Sequence, residues 1–180
     1  MTADQFMWAL ARVAGLSSYG ALSIALVTGV ALRSNVLHWL GNNKAVKSLH
    51  EYTVFLWIPL GIVHVTALLL DHTARIGALD VIIPFRVSYG TLAVGLGTVA
   101  VDVLFVVTIT GWYKKNLSPG LWQWLHRLSY VAFALIFMHA ALGGSDFSDP
   151  AVSAISWAVA ASLAVLVAAR VIWGRLAAER

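Results

Sequence analysis

Five apolar runs, each long enough to cross a bilayer as a helix of about 20 residues, alternate with short polar stretches along the chain. The pattern predicts spans at Trp8–Leu32, Leu49–Leu70, Ser88–Trp112, Leu121–Leu142 and Ala151–Trp173. Nowhere does it show the two-residue alternation of a strand. The longest connections, Arg33–Ser48 and Asp71–Val87, leave no room for a soluble domain. The second contains "LDVIIPFRVSYG", which predicts a short interfacial helix stopped by Pro84. The expected architecture is all-α: a polytopic membrane helix bundle of five spans, forming a single domain over residues 1–180.

Composition agrees with that pattern. The residues are 60% hydrophobic and 11% charged, with a mean hydropathy of +0.82. A net charge of +4 would suggest nucleic acid in a soluble protein. In a membrane protein, basic residues instead mark the cytoplasmic side. Arg33, Lys44, Lys47, Lys114, Lys115, Arg127, Arg170, Arg175 and Arg180 fall on one side of the predicted bundle, and only Arg12, Arg75 and Arg86 on the other. Nine against three predicts an N-terminus outside and a C-terminus in the cytoplasm. Tyr52, Trp112, Trp122, Trp124 and Trp173 fall near the inner boundary, where interfacial aromatics collect. The opening "MTADQF" has no basic n-region and predicts no removable signal peptide. With no cysteine, the chain has no disulfide, no thiolate-held iron–sulfur cluster, no covalent c-type haem and no cysteine nucleophile.

Chemistry concentrates in histidine. His38 and His72 fall in loops, whereas His50 and His64 lie on the second span and His126 and His139 on the fourth. Both spans start on the same side of the membrane, so they run parallel. His50 and His126 then share one depth, and His64 and His139 another, roughly 20 Å further along. Two imidazoles per level leave a tetrahedral zinc shell unfilled. A b-type haem needs only one imidazole on each face. The second ring nitrogen of each ligand must still donate its proton. The carbonyl four residues back on the same helix is a reasonable acceptor: Val46, Leu60, Trp122 and Leu135 respectively. Fourteen residues return close to the same helix face, but thirteen miss by about 140°. The fourth span must therefore bulge or tilt, or its two ligands must leave from different sides. Pro59 predicts a kink in the second span. Single buried histidines commonly serve as interhelical hydrogen-bonders, and histidines in a membrane also build proton relays.

Two segments, "LHEYTVFLWIPLGIVH" and "LWQWLHRLSYVAFALIFMH", resemble the haem-binding helices of the ferric reductase-like transmembrane domain superfamily. That group includes ferric reductases, NADPH oxidases and the haem-binding membrane subunit of the bacterial methionine sulfoxide reductase system. The stretch Trp122 to Tyr130, of the form W-x-x-L-H-R-L-S-Y, carries most of the specificity. "IIPF", "SYGTLAVGLGTVAVDVL" and "MHAALGGSD" extend the resemblance over roughly residues 15–172. It implies that His50 with His126 ligate an inner haem b and His64 with His139 an outer one. Two features depart from the pattern. Typical members have six spans and an inside N-terminus, one leading span more than is predicted here. Ferric reductases and NADPH oxidases also continue into a flavin- and NAD(P)H-binding domain, whereas these residues contain no glycine-rich dinucleotide fingerprint. The resemblance thus implies an electron-transfer subunit of an oxidoreductase rather than a complete reductase.

Other residues are candidates for supporting roles. Arg127 beside His126, with Arg33, Lys44 and Lys47, could pair inner haem propionates through charge-assisted hydrogen bonds. Arg75 and Arg86 could do so outside. Topology-setting charge is the better reading for Lys44 and Lys47 and accounts about equally for Arg127, Arg75 and Arg86. The glycines of the first and third spans allow close approach by a macrocycle or another helix. Asp102, within the third span, is costly as a bare carboxylate and is read as protonated, paired, or part of a proton or quinone path. The leading expectation is a cytochrome b carrying electrons across the membrane. Its partner would be a cytoplasmic flavoprotein, an extracytoplasmic redox protein or a quinone. One alternative is a structural or interaction subunit of a larger redox or photosynthetic complex. Another is a proton-coupled transporter using Asp102 and the histidines.

Overall fold

The computed structural model describes residues 1–33 and 43–178, with side chains through residue 172. The expected loop position of His38 lies outside the described residues, as do Arg180 and the side chains of Trp173 and Arg175. The described residues form five long helices: α1 (Ala3–Ala31), α2 (Lys44–Leu70), α3 (Thr91–Trp112), α4 (Pro119–Gly143) and α5 (Pro150–Ala178). All five are long and apolar enough to cross a membrane. No strand occurs among the described residues. The expectation of an all-α membrane bundle holds.

Helix starts follow capping chemistry rather than hydropathy. Thr2 and Gln5 form a reciprocal capping box, which begins α1 five residues before the apolar run. Asn43 accepts from the Ala45 N–H at the start of α2. Ser118 accepts from Leu121, with Pro119 in the first turn of α4. Asp149 accepts from Ala151 and Val152 at the head of α5. In α3 the effect is reversed. Gly90 takes a left-handed conformation (φ 61°) and delays the helix to Thr91.

The predicted interfacial helix is a single 3-10 turn, Ala78–Val81, that ends before Pro84. Asp80 accepts from the Gly77 N–H and from Arg86 Nε at 3.1 Å. Its carbonyl accepts from Thr98 Oγ1, which ties the turn to α3. Beyond Pro84, Phe85 adopts a positive φ and lays its ring directly on Gly95, where a Cβ could not fit. α2 continues through Pro59 as helix. Ser18 Oγ of α1 donates to the Trp57 carbonyl beside it.

Packing is pairwise. α1 lies chiefly against α2, and α3 chiefly against α4. A buried cluster joins the two hairpins and α5: Tyr19, Leu22 and Leu26 from α1, Leu104 from α3, Ala132, Phe133 and Phe137 from α4, and Leu163 from α5. Tyr19 stacks on Phe133 with ring centres 5.7 Å apart. One end of the bundle carries Lys44, Lys47, Lys114, Lys115 and Arg170, and is called the basic end below. The other carries Asp71, Asp80, Asp146 and Asp149.

Candidate functional site: two levels of paired imidazoles

α2 and α4 run parallel and face each other through their histidines. At the basic end, His50 and His126 have ring centres 6.5 Å apart and planes at 77°. At the far level, His64 and His139 stand 6.3 Å apart at 80°. All four are half-buried. Of the six histidines, the structure brings together the four expected from sequence, in the expected pairs. α4 has no bulge, so the thirteen-residue spacing is met by a regular helix.

The ring anchors differ from expectation. None of the four histidines bonds the carbonyl four residues back on its own helix. His50 Nδ1 donates to the Ala25 carbonyl of α1 at 2.8 Å. His64 Nδ1 donates to Ala11, also on α1, at 2.8 Å. His139 Nδ1 donates to Ala93 of α3 at 2.8 Å. The physical reason is direction. A bond to its own preceding turn would fold the ring along the helix, whereas a bond to the neighbouring helix leaves the other nitrogen aimed into the gap between α2 and α4. A carbonyl can only accept, so Nδ1 carries the proton and Nε2 keeps a lone pair.

Each anchor has a glycine four residues further along the neighbouring helix. A Cβ on Gly15 would lie 2.7 Å from His64 Nδ1, on Gly29 3.1 Å from His50 Cε1, and on Gly97 2.7 Å from His139 Nδ1. These glycines admit an imidazole edge-on to the helix backbone. They were expected to admit a macrocycle or another helix. The recurring unit is Ala-x-x-x-Gly: Ala11–Gly15, Ala25–Gly29 and Ala93–Gly97. Its fourteen-residue repeat in α1 matches the His50–His64 spacing in α2. That coincidence was visible in the sequence.

His126 breaks the pattern. Gly111 stands fourteen residues after Gly97, where a fourth notch would fall, but nothing approaches it within 4 Å. His126 Nδ1 is buried and has no hydrogen-bond partner among the described residues. Its ring stacks on Trp122, with centres 5.1 Å apart and planes at 18°. Lys114 Nζ lies over the other part of this stack, 4.1 Å from the Trp122 ring centre. α3 keeps the fourteen-residue spacing and α4 has thirteen, so only one of its two histidines can meet a notch.

The pairs fit a metal bridged between two nitrogens. With about 2 Å from metal to each imidazole nitrogen, and each nitrogen about 1.1 Å from its ring centre, ring centres fall roughly 6.3 Å apart. No cluster of three or more His, Asp or Glu side chains is placed for metal binding among the described residues. An ion held between two imidazoles takes its remaining ligands from outside these side chains, and a porphyrin can supply four.

The charged candidates are less uniform. Arg127 is exposed. The cation that reaches the His126 stack is Lys114, over the face of Trp122. Arg170 Nη1 donates to Tyr130 Oη at 2.9 Å. At the far end, Arg86 is engaged by Asp80, and Arg75 sits in an exposed left-handed turn. Arg12, not singled out from sequence, pairs with Asp146 and stacks on Trp8. Its guanidinium holds the Asp146 carboxyl below the usual carboxylate range. His72 is exposed and bonds Asp4. Asp102 lies on an exposed face of α3.

This is the site of a helical integral membrane protein with paired histidines on parallel spans. Over 126 residues the chain is 30% identical to the protein-methionine-sulfoxide reductase haem-binding subunit MsrQ of Herminiimonas arsenicoxydans. The matched stretch covers 68% of this chain and 48% of that protein, so the chain spans about half the length of the curated relative it matches. A haem-binding subunit of that reductase system is among the superfamily members the histidine helices resemble, and the likeness supports the resemblance at superfamily level. No family model matches the chain, and no solved structure matches it.

Proposed function

We propose that the chain is a membrane cytochrome b whose two bis-histidine b-type haems, ligated by His50 with His126 and by His64 with His139, carry electrons across the bilayer. The observation that carries this reading is the pair of ring separations, 6.5 Å and 6.3 Å. Both leave room for an iron that would take one imidazole from each helix, and three of the four rings are held through Nδ1 with Nε2 unengaged. The likeness to a haem-binding subunit supports the same cofactor.

Bound at these levels, haem iron supplies one-electron redox chemistry that no side chain here can perform. The residues do the rest. The carbonyls of Ala11, Ala25 and Ala93 fix ring orientation and strengthen the ligands as donors. Gly15, Gly29 and Gly97 let the rings sit close to the backbone. The surrounding apolar side chains exclude water. Lys114 and Arg170 are better placed than the exposed Arg127 to pair an inner propionate. The basic end is the cytoplasmic one, by the positive-inside rule. The chain serves as a haem-carrying electron-transfer unit of an oxidoreductase. It exchanges electrons with a flavoprotein or quinol on one side and a redox partner on the other.

A reduced-minus-oxidised spectrum of the purified protein, with pyridine haemochrome quantitation, tests this reading. Two b haems per chain are expected. One haem would leave one histidine pair as structural, and none would reject the reading.

A further inference from the structure

The two histidine levels are built alike in three of their four ligands and differ in the fourth. We propose that His126 is the weakest electron donor of the four histidines, and that the level it shares with His50 therefore holds the more easily reduced haem. This rests on the two-haem reading above and adds an order to the two sites.

The first ground is the missing anchor. His64 and His139 each donate a ring N–H to a backbone carbonyl at 2.8 Å. Such a bond pulls the proton partly away and gives the ring imidazolate character. That makes it a stronger donor and stabilises ferric iron. His126 Nδ1 has no acceptor among the described residues, and its neighbour in the stack is an indole face rather than a carbonyl. Its level therefore combines one anchored ligand, His50, with one unanchored ligand. The far level has two anchored ligands.

The second ground is charge. A bis-histidine ferric haem carries one more positive charge than its ferrous form, apart from the propionates. Nearby cations therefore favour reduction. Lys114 stands over Trp122, which stacks on His126, and Arg170 bonds Tyr130, one turn along α4 from His126. At the far end, Arg86 is engaged by Asp80. Arg12, the basic residue next to the Ala11 anchor, is neutralised by Asp146. Ligand strength and charge push in the same direction.

The one-residue difference between the helices explains how the asymmetry arose. In α1 and α2 the notches and the histidines share a fourteen-residue spacing, so both rings find their carbonyls. α4 places its histidines one residue closer together than the notches of α3. His139 keeps its notch at Gly97, and His126 loses the one at Gly111.

Equilibrium redox potentiometry of the purified full chain, followed in the haem α band, tests the proposal. Two one-electron waves are expected. Lys114→Gln and Arg170→Gln should each lower the high-potential wave and leave the low one in place. Gly97→Ala puts a Cβ against the His139 ring and should move the low wave only. Gly111→Ala should move neither, although the two glycines are equivalent in sequence spacing. A single wave from a protein holding two haems would overturn the proposal. So would a Lys114→Gln shift confined to the low wave, or equal responses to Gly97→Ala and Gly111→Ala. Absence of haem from the wild-type protein would instead overturn the functional reading beneath it.

Discussion

The level at the basic end and the level 13 or 14 residues further along place paired imidazoles at almost the same separation by different means. At the far level, both rings are seated in glycine notches and tethered to carbonyls of neighbouring helices. At the basic end, His50 is seated in that way, with the Thr28 hydroxyl also 3.4 Å from its Nδ1, whereas His126 is held by an aromatic stack. Similar ring geometry therefore does not require the same support. A carbonyl fixes both position and tautomer, while an indole face fixes position alone.

The strongest test of the comparison is to remove ligands. His64→Ala and His139→Ala should each abolish the same half of the haem, and the double variant should lose no more than either single change. His50→Ala and His126→Ala should behave likewise for the other half. Pyridine haemochrome content of the four single and two double variants checks this. Loss of all haem from one single variant would show that the levels are not independent.

Next in size is the notch. Gly15→Val drives a branched side chain into the His64 ring, which already stands 2.7 Å from where a Cβ would be. Overpacking of this kind costs about 1–3 kcal/mol. The thermal midpoint should fall, together with haem retention at the far level. Gly20→Val on the same helix, where nothing lies within 4 Å, should be close to neutral. A melting series of both variants decides it.

A smaller effect is expected from the stack. Trp122→Leu removes the flat support of His126 and the cation–π contact with Lys114, which contributes about 0.5–1 kcal/mol where exposed. Low-temperature electron paramagnetic resonance should show a broadened signal from the basic-end haem and an unchanged one from the other. Trp122→Phe, which keeps a ring, should restore the width.

The smallest effect concerns the clasp between α1 and the turn before α5. Asp146 is held below the ordinary carboxylate range by the Arg12 guanidinium that donates to it. A depressed carboxylate contributes stability that is complete above its unfolded value near 4. That contribution is lost as the pH falls through the lower folded value. Asp146→Asn should lower the melting temperature by roughly one to two degrees at neutral pH. The gap to wild type should close in acid. A gap that widened on acidification would contradict the assigned pairing.

Much of this was legible in the sequence because membrane helices announce themselves by length and apolarity. The five spans, the parallel course of α2 and α4 and the depth matching of four histidines all follow from counting residues. Hydropathy places the first three helix starts three to five residues off, because it does not register Thr2, Asn43 or the left-handed Gly90. The ring anchors were misassigned because each helix was read alone. A carbonyl on a neighbouring helix has no fixed distance in sequence from its imidazole. The signal that could have found them is relational: Ala-x-x-x-Gly recurs in α1 with the fourteen-residue period of the histidines in α2. Trp122 was read as an interfacial aromatic, and only the folded α4 turns it onto His126.

The carbonyl–imidazole tethers of His50, His64 and His139 all form inside a hairpin, joining α1 to α2 or α3 to α4. During biogenesis the α1–α2 hairpin can therefore leave the insertion machinery with both its histidines aligned, and the α3–α4 hairpin with His139 aligned. What remains is the meeting of the two hairpins, so on the proposed reading delivery of haem would be an assembly step as well as a chemical one.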